Sequence, residues 1–182
     1  RERGYGGIDV DFEYVPAEYA AAYGAFIERL QRAVGDGTPV FVSLAPKYSA
    51  EQPGLLYEGH NYGLLGQLAD YVLLMTYEWG YTYGPPMAVS PIGEVRRVIE
   101  YALSEIPSGK IQLGIPNYGY DWALPYVRGE SRARSLSNTD AVALAGDRMA
   151  EIRFDERSAS PTFNYFDRPE TYSDAVEHEV WF

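Results

Sequence analysis

Gly6-Gly7-Ile8-Asp9-Val10-Asp11-Phe12-Glu13-Tyr14 alternates apolar and acidic residues along most of its length. Side chains on a strand point to alternate faces, so Ile8, Val10 and Phe12 share one face and Asp9, Asp11 and Glu13 the other. The surrounding sequence says what kind of sheet holds such a strand. Residues 16–34 place Tyr19, Tyr23, Phe26, Ile27, Leu30 and Val34 at helical spacing, with Gly35 and Gly37 as stop signals. Residues 39–45 read as a second strand, buried on both faces by its composition, 62–69 as a short helix and 71–77 as a third strand. Ser90-Pro91 caps a helix running to about Ile106, and residues 110–115 form a fourth strand. Strands alternating with helices indicate βαβ units and a parallel sheet, an α/β fold. After Pro116 the rhythm changes: 138–150 reads as a capped helix and 151–155 with 162–167 as an antiparallel pair, a small α+β segment. Residues 180–182 are expected to return to the parallel sheet.

Parallel sheets are normally covered on both faces, so the acidic face of the first strand is expected to be buried. Carboxylates there are costly unless paired or used. Neighbours in the row stand about 7 Å apart, and their repulsion is expected to raise at least one pKa, which suits a general acid. Three readings of the run stay open: catalytic acid work, a hard-cation site such as Mg²⁺, and a solvated strand face.

The chain has 182 residues, with 15 Lys and Arg against 26 Asp and Glu, a net charge of −11. That surface argues against nucleic acid and anionic membrane as main partners. No apolar run reaches the roughly 18 residues of a membrane span. The absence of cysteine excludes disulfides, thiolate metal sites and Cys nucleophiles. His60, just before a helix, reads as a surface or capping residue, and His178 has no evident role. Ser43 lacks triad partners, and Gly4-Tyr5-Gly6-Gly7 precedes a strand rather than a helix, so it is no phosphate loop. Both ends read as cut, and the missing signal peptide carries no information on localisation.

Tyr occurs 17 times. Such an excess suits either packing or a sugar-binding surface. Sites in α/β sheets lie at the C-terminal ends of strands. Glu13 ends the first strand, Met75-Thr76-Tyr77-Glu78-Trp79 the third, and Asn117-Tyr118-Gly119-Tyr120-Asp121-Trp122 follows the fourth, while Trp181 lies in the last. By strand parity Leu73, Met75 and Tyr77 share a face, so Tyr77 is expected to point to the same interior as Glu13.

These residues resemble family 18 glycoside hydrolases, the chitinase-like TIM (β/α)8 barrels. Gly6 to Glu13 resembles the Asp-x-x-Asp-x-Asp-x-Glu motif of the fourth barrel strand, Met75-Thr76-Tyr77-Glu78 the sixth-strand Met-x-Tyr-Asp motif, and Gly114 to Gly119 the end of the seventh strand. Trp181 falls at the eighth-strand Trp. More narrowly, residues 9–15, 75–92 and 117–128 resemble the spore-germination branch of N-acetylglucosaminidases, which degrade cortex peptidoglycan and often carry LysM modules. Gly6 replaces the first Asp of the motif, and Glu78 stands where the family has Asp.

A complete barrel needs about 250 residues. The resemblance therefore implies a partial barrel, strands four to eight, in residues 1–119 and 176–182, with 120–175 as an α+β insertion between strands seven and eight. It further implies substrate-assisted, retaining hydrolysis of N-acetylglucosamine linkages in peptidoglycan or chitin-like glycans, without metal or cofactor. Glu13 would be acid and base, Asp11 would orient the acetamido group, Asp9 would tune Asp11, and Tyr77 would donate to the acetamido oxygen. Met75, Glu78, Asn117, Tyr118 and Trp181 would contact the sugar. The implied partner is a carbohydrate, with neither nucleic acid nor membrane, and the implied location is extracytoplasmic, in the cell wall or spore envelope. A plain chitinase and a non-catalytic lectin-like barrel are the alternatives.

Overall fold

A computed structural model describes residues 4–167 and 174–182. It divides into two compact units, Arg1–Thr76 with Val95–Gly114, and Tyr77–Glu94 with Ile115–Phe182.

The first unit is built on the expected parallel sheet. Strands β1 (Ile8–Val10), β2 (Val40–Leu44), β3 (Tyr71–Leu74) and β4 (Ile111–Leu113) lie side by side in chain order, all parallel. Helices α1 (Ala20–Val34), α2 (Tyr62–Leu68) and α3 (Ile92–Glu105) separate them. The sheet forms where the apolar runs are densest: Val40, Val42, Leu44, Val72 and Leu74 have no exposed surface, and Val42 pairs with Val72. Asp70 fixes the entry to β2, its carboxylate accepting from the Val40 N–H at 2.8 Å and the Gln31 amide at 2.9 Å. Asn61 caps α2 by accepting from the Leu64 N–H at 2.9 Å, satisfying one of the helix's orphan donors.

Strands β1 and β3 end earlier than the pattern suggests, and both differences bear on the site. The β1 ladder ends at Val10. The β3 ladder ends at Leu74; Thr76 then folds back, its N–H on the Leu74 carbonyl at 2.9 Å and its hydroxyl on the Gly114 carbonyl at 2.9 Å. The turn at Thr76 breaks the two-residue alternation, so strand parity does not carry from Leu73 to Tyr77.

The second unit is a five-stranded antiparallel sheet with one helix. It holds β5 (Tyr118–Ala123), β6 (Arg134–Ser137), α4 (Asn138–Arg148), β7 (Arg153–Asp155), β8 (Ser160–Phe166) and β9 (Glu177–Trp181), in the order β6-β5-β9-β8-β7. The expected pair appears as β7 and β8, with Arg153 opposite Thr162. Ser137 caps α4, its hydroxyl accepting from the Asp140 N–H at 3.1 Å. Leu136, Ala141, Ala145, Phe163, Tyr165 and Val180 form the core.

The expectation for the last strand is corrected: β9 runs antiparallel to both β5 and β8, with Tyr120 and Thr162 opposite Trp181 on its two sides. The reason is packing, because this register sends Val180, with no exposed surface, into the core of the small sheet. Strands β5 and β6 have no counterpart in the sequence reading. Residues 168–173 of the expected insertion lie outside the described residues, among which no closed eight-stranded barrel occurs.

Candidate active site

In the first unit the acidic run leaves the sheet almost as soon as it begins. Val10 is buried, at 5% exposure, but Asp9, Asp11 and Glu13 are all exposed, which corrects the expectation of a buried acidic face. Beyond Val10 no strand pairing holds Asp11 and Glu13 under a covering layer, while Asp9, opposite Phe41 within the ladder, is exposed on the face of the sheet. Asp9 accepts from the buried Ser43 hydroxyl, at 3.3 and 3.4 Å to its two oxygens. Met75 is buried, and its N–H donates to the Leu44 carbonyl at 3.0 Å.

The backbone around Glu13 is held from outside the sheet. The Phe12 ring lies 5.6 Å from that of Tyr23 and 5.4 Å from that of Phe26, both on α1. Burial pushes the Tyr23 hydroxyl up to about 12, so it stays protonated beside the Val10 carbonyl. The Phe12 carbonyl accepts from His60 Nε2 at 2.8 Å, while His60 Nδ1 accepts from the Ala45 N–H at 2.7 Å. One ring nitrogen accepts and the other donates, so the ring is the neutral Nε2–H tautomer. Burial lowers its pKa, in the same sense. His60 has no exposed surface, so the reading of it as a surface or capping residue is corrected. Gly59, beside it, is pressed against the segment after Glu13: a Cβ there would come within 2.3 Å of the Val15 carbonyl oxygen. Between these two fixings Tyr14 adopts φ 54°, a left-handed conformation rare outside glycine. Glu13 thus stands on a backbone fixed at Phe12 and again at Val15.

In the second unit Tyr77 and Trp181 pack against a cluster of Val89, Tyr120, Trp122 and Ala133, with Tyr118 beside them. Glu78, exposed and at φ 67°, accepts from the Tyr118 hydroxyl at 2.7 Å and the Tyr120 hydroxyl at 2.9 Å, both on Oε1. Burial and the Glu78 carboxylate both raise the pKa of Tyr118 and of Tyr120, so both stay donors. Trp181 donates its indole N–H to Glu179 at 2.8 Å. Asn117 is exposed, just before β5. The structure thus places Asp9, Asp11, Glu13 and Met75 in the first unit and Tyr77, Glu78, Asn117, Tyr118 and Trp181 in the second.

Sequence reasoning missed Tyr120 as the second donor to Glu78. Its spacing from Tyr118, two residues along a strand, would have put both hydroxyls on one face had β5 been read as a strand. It also missed the polar anchor of the second sheet. Asp121, 5% exposed, accepts from Arg134 at 3.1 Å, Tyr165 at 2.9 Å and His178 Nδ1 at 2.8 Å. His178, left without a role above, also stacks on Tyr165 at 4.6 Å.

Gly119 makes the meeting of β5 and β9 possible: a Cβ on it would lie 2.2 Å from the Trp181 carbonyl oxygen and 2.5 Å from Phe182 Cβ. Gly119→Ala is therefore expected to push Trp181 away and to destabilise by about 1–3 kcal/mol, the range for forced overpacking. A fall in urea midpoint together with altered Trp fluorescence checks it; an unchanged midpoint would refute the close approach.

Residues 1–178 match glycosyl hydrolases family 18. The cortical fragment-lytic enzyme of Bacillus subtilis is 45% identical over 183 aligned positions, covering 100% of this chain and 41% of that protein. The crystal structure of the spore cortex-lytic enzyme SleL of Bacillus cereus superposes with a TM-score of 0.92 at 42% identity, over 100% of this chain and 41% of that one. A chitinase from Chromobacterium violaceum follows at a TM-score of 0.87 and 30% identity, over 99% and 54%. This chain spans 41% of the length of its cortex-lytic relatives, and those relatives share its fold. With residues 1–178 matched and relatives of the same fold at 42% and 45% identity, this chain belongs to family 18 of the glycosyl hydrolases.

Proposed function

We propose that the full-length protein is a glycosidase that cleaves N-acetylglucosamine linkages in cortex peptidoglycan or in chitin-like glycans. The observation that carries this reading is the exposed run Asp9, Asp11, Glu13, with Glu13 on a backbone fixed on both sides, in a chain so similar to a cortical fragment-lytic enzyme. The family works without an enzyme nucleophile, the substrate's own acetamido group taking that part. Glu13 gives its proton to the glycosidic oxygen as the bond to the anomeric carbon breaks. The acetamido carbonyl oxygen closes on that carbon, forming an oxazolinium. Asp11 accepts from the acetamido N–H and balances the developing positive charge. Asp9 tunes Asp11, Tyr77 donates to the acetamido oxygen, and Trp181 offers its indole face to the sugar. Met75, Glu78, Asn117 and Tyr118 are further contacts of the substrate, the last three to sugar hydroxyls. Water then opens the oxazolinium while the Glu13 carboxylate takes its proton, so configuration is retained.

The chain's share of its relatives' length supports the finer architecture as part of the same proposal. Residues 1–119 correspond to strands four to seven of a (β/α)8 barrel and 120–175 to an insertion that follows strand seven, while residues 176–182 join the antiparallel sheet rather than the barrel. The substrate places the protein outside the cytoplasm, in the cell wall or spore envelope, where LysM-type modules elsewhere in the full-length chain would hold it on its glycan.

Hydrolysis of N-acetylglucosamine oligomers and of cortex fragments by the full-length protein tests the reading. Release of new reducing ends is expected, and the better substrate separates cortex enzyme from chitinase. No release from either, with both still bound, would leave a lectin-like barrel instead.

A further inference from the structure

We propose that Tyr81, Tyr83 and Arg132 form a glycan platform that prefers strands carrying carboxylates. The proposal rests on the glycosidase reading for its ligand class, and on the second unit alone for its geometry.

Tyr81 and Tyr83 are 42% and 57% exposed, with ring centres 6.5 Å apart, edge to face. Exposed tyrosines on a loose loop would mean little. Here the loop is pinned at three consecutive carbonyls by the segment that carries the arginine. Thr82 accepts from the Ala133 N–H at 2.7 Å, Tyr83 from the Tyr126 hydroxyl at 3.0 Å, and Gly84 from the indole of the buried Trp122 at 2.8 Å. The loop also closes on itself, the Gly84 N–H donating to the Tyr81 carbonyl at 3.1 Å. The two rings are therefore held out towards solvent by a rigid support, the arrangement that lowers the entropy cost of binding.

The charge at this place runs against the rest of the molecule. The chain carries −11, yet residues 126–134 hold Arg128, Arg132 and Arg134 against Glu130 alone. Arg134 is engaged by Asp121 at 3.1 Å. The Arg132 guanidinium lies over the Tyr83 ring, 5.7 Å from its centre, and among the described residues no carboxylate pairs with it. A tyrosine face suits the apolar face of a pyranose ring, and a planar guanidinium suits a carboxylate bidentately. A neutral polymer of N-acetylglucosamine offers nothing to that cation. A peptidoglycan strand offers lactyl and stem-peptide carboxylates beside its sugar rings, so the charge favours that occupant.

Steady-state hydrolysis by the full-length protein tests this, with peptidoglycan fragments compared before and after amidation of their carboxylates. The wild type is expected to show a KM about tenfold lower for the unmodified fragments, as one charge-assisted pair supplies. The difference should shrink as salt is raised, and Arg132→Gln should abolish it. Tyr83→Ala should raise KM for both fragments alike. A wild type that treats both fragments equally at low salt overturns the proposal, whatever the variants do; so does an Arg132→Gln protein that still discriminates. Should no fragment be hydrolysed, the glycosidase reading fails, and equilibrium binding of the same two fragments still decides whether the platform selects carboxylates.

Discussion

Glu13→Gln in the full-length protein is expected to lower kcat on N-acetylglucosamine oligomers by about a hundredfold to ten-thousandfold, the range that a positioned acid and base supplies. The amide keeps the size of the carboxyl but neither delivers the proton to the leaving oxygen nor takes one from water. KM should move little, because the change removes an interaction used in the transition state and not the contacts that hold the sugar. The fold should be indifferent, since Glu13 is exposed and its neighbours Phe12 and Val15 are fixed through backbone groups. Kinetics with an unchanged denaturation curve check this, and full turnover by the variant would remove Glu13 from its role.

His60→Ala is expected to be the most damaging stability change in the first unit. It strips the Ala45 N–H and the Phe12 carbonyl of their partner and leaves a void where the ring stood. Each unpaired buried group costs about 1–3 kcal/mol, so with the void a loss of about 3–5 kcal/mol follows. Because Phe12 precedes Glu13, kcat should fall as well, in molecules that remain folded. His60→Gln, whose amide can both accept and donate, should recover part of each loss. Acid should act in the same direction as the deletion. Burial sets the folded pKa of His60 below its ordinary value, so the unfolded chain binds the extra proton first. The stabilisation is complete above about pH 6.5 and is lost as pH falls towards the lowered folded value. Denaturation midpoints of wild type and His60→Gln between pH 8 and 5, with a shallower acid loss in the variant, check the sign; an unchanged midpoint for His60→Ala would refute the bracket.

Much of the first unit was legible because its cause is local. Dense apolar runs such as 39–45 can only be central strands, and the helices between them carry their own periodicity and stops. The residue types of the acidic run were legible for the same reason. Their exposure was not, because for Asp11 and Glu13 it depends on where pairing with β2 ceases, and for Asp9 on what covers that face of the sheet, and neither is a property of one segment. Tyr77 was misassigned to a continuing strand because nothing at Thr76 marks the turn; the turn comes from a bond to Gly114, far along the chain. His60 was misread because a histidine between a glycine and a helix cap looks solvated until its two backbone partners, Ala45 and Phe12, are brought to it. β9 was sent to the wrong sheet because three apolar residues satisfy either core equally well in one dimension.

The placement of β9 also sets the order in which the second sheet can come into being. It is the last of the sheet's five strands along the chain, yet it sits third of five, between β5 and β8. Until residues 177–181 leave the ribosome, β5 with β6 and β7 with β8 are separate hairpins, each with an open edge where β9 belongs. Two-stranded ribbons are marginal in water, so the late strand converts two fluctuating pieces into one sheet in a single step. The nascent sheet therefore reaches its most adhesive state just before residues 177–181 emerge, when both inner edges are made and neither is covered.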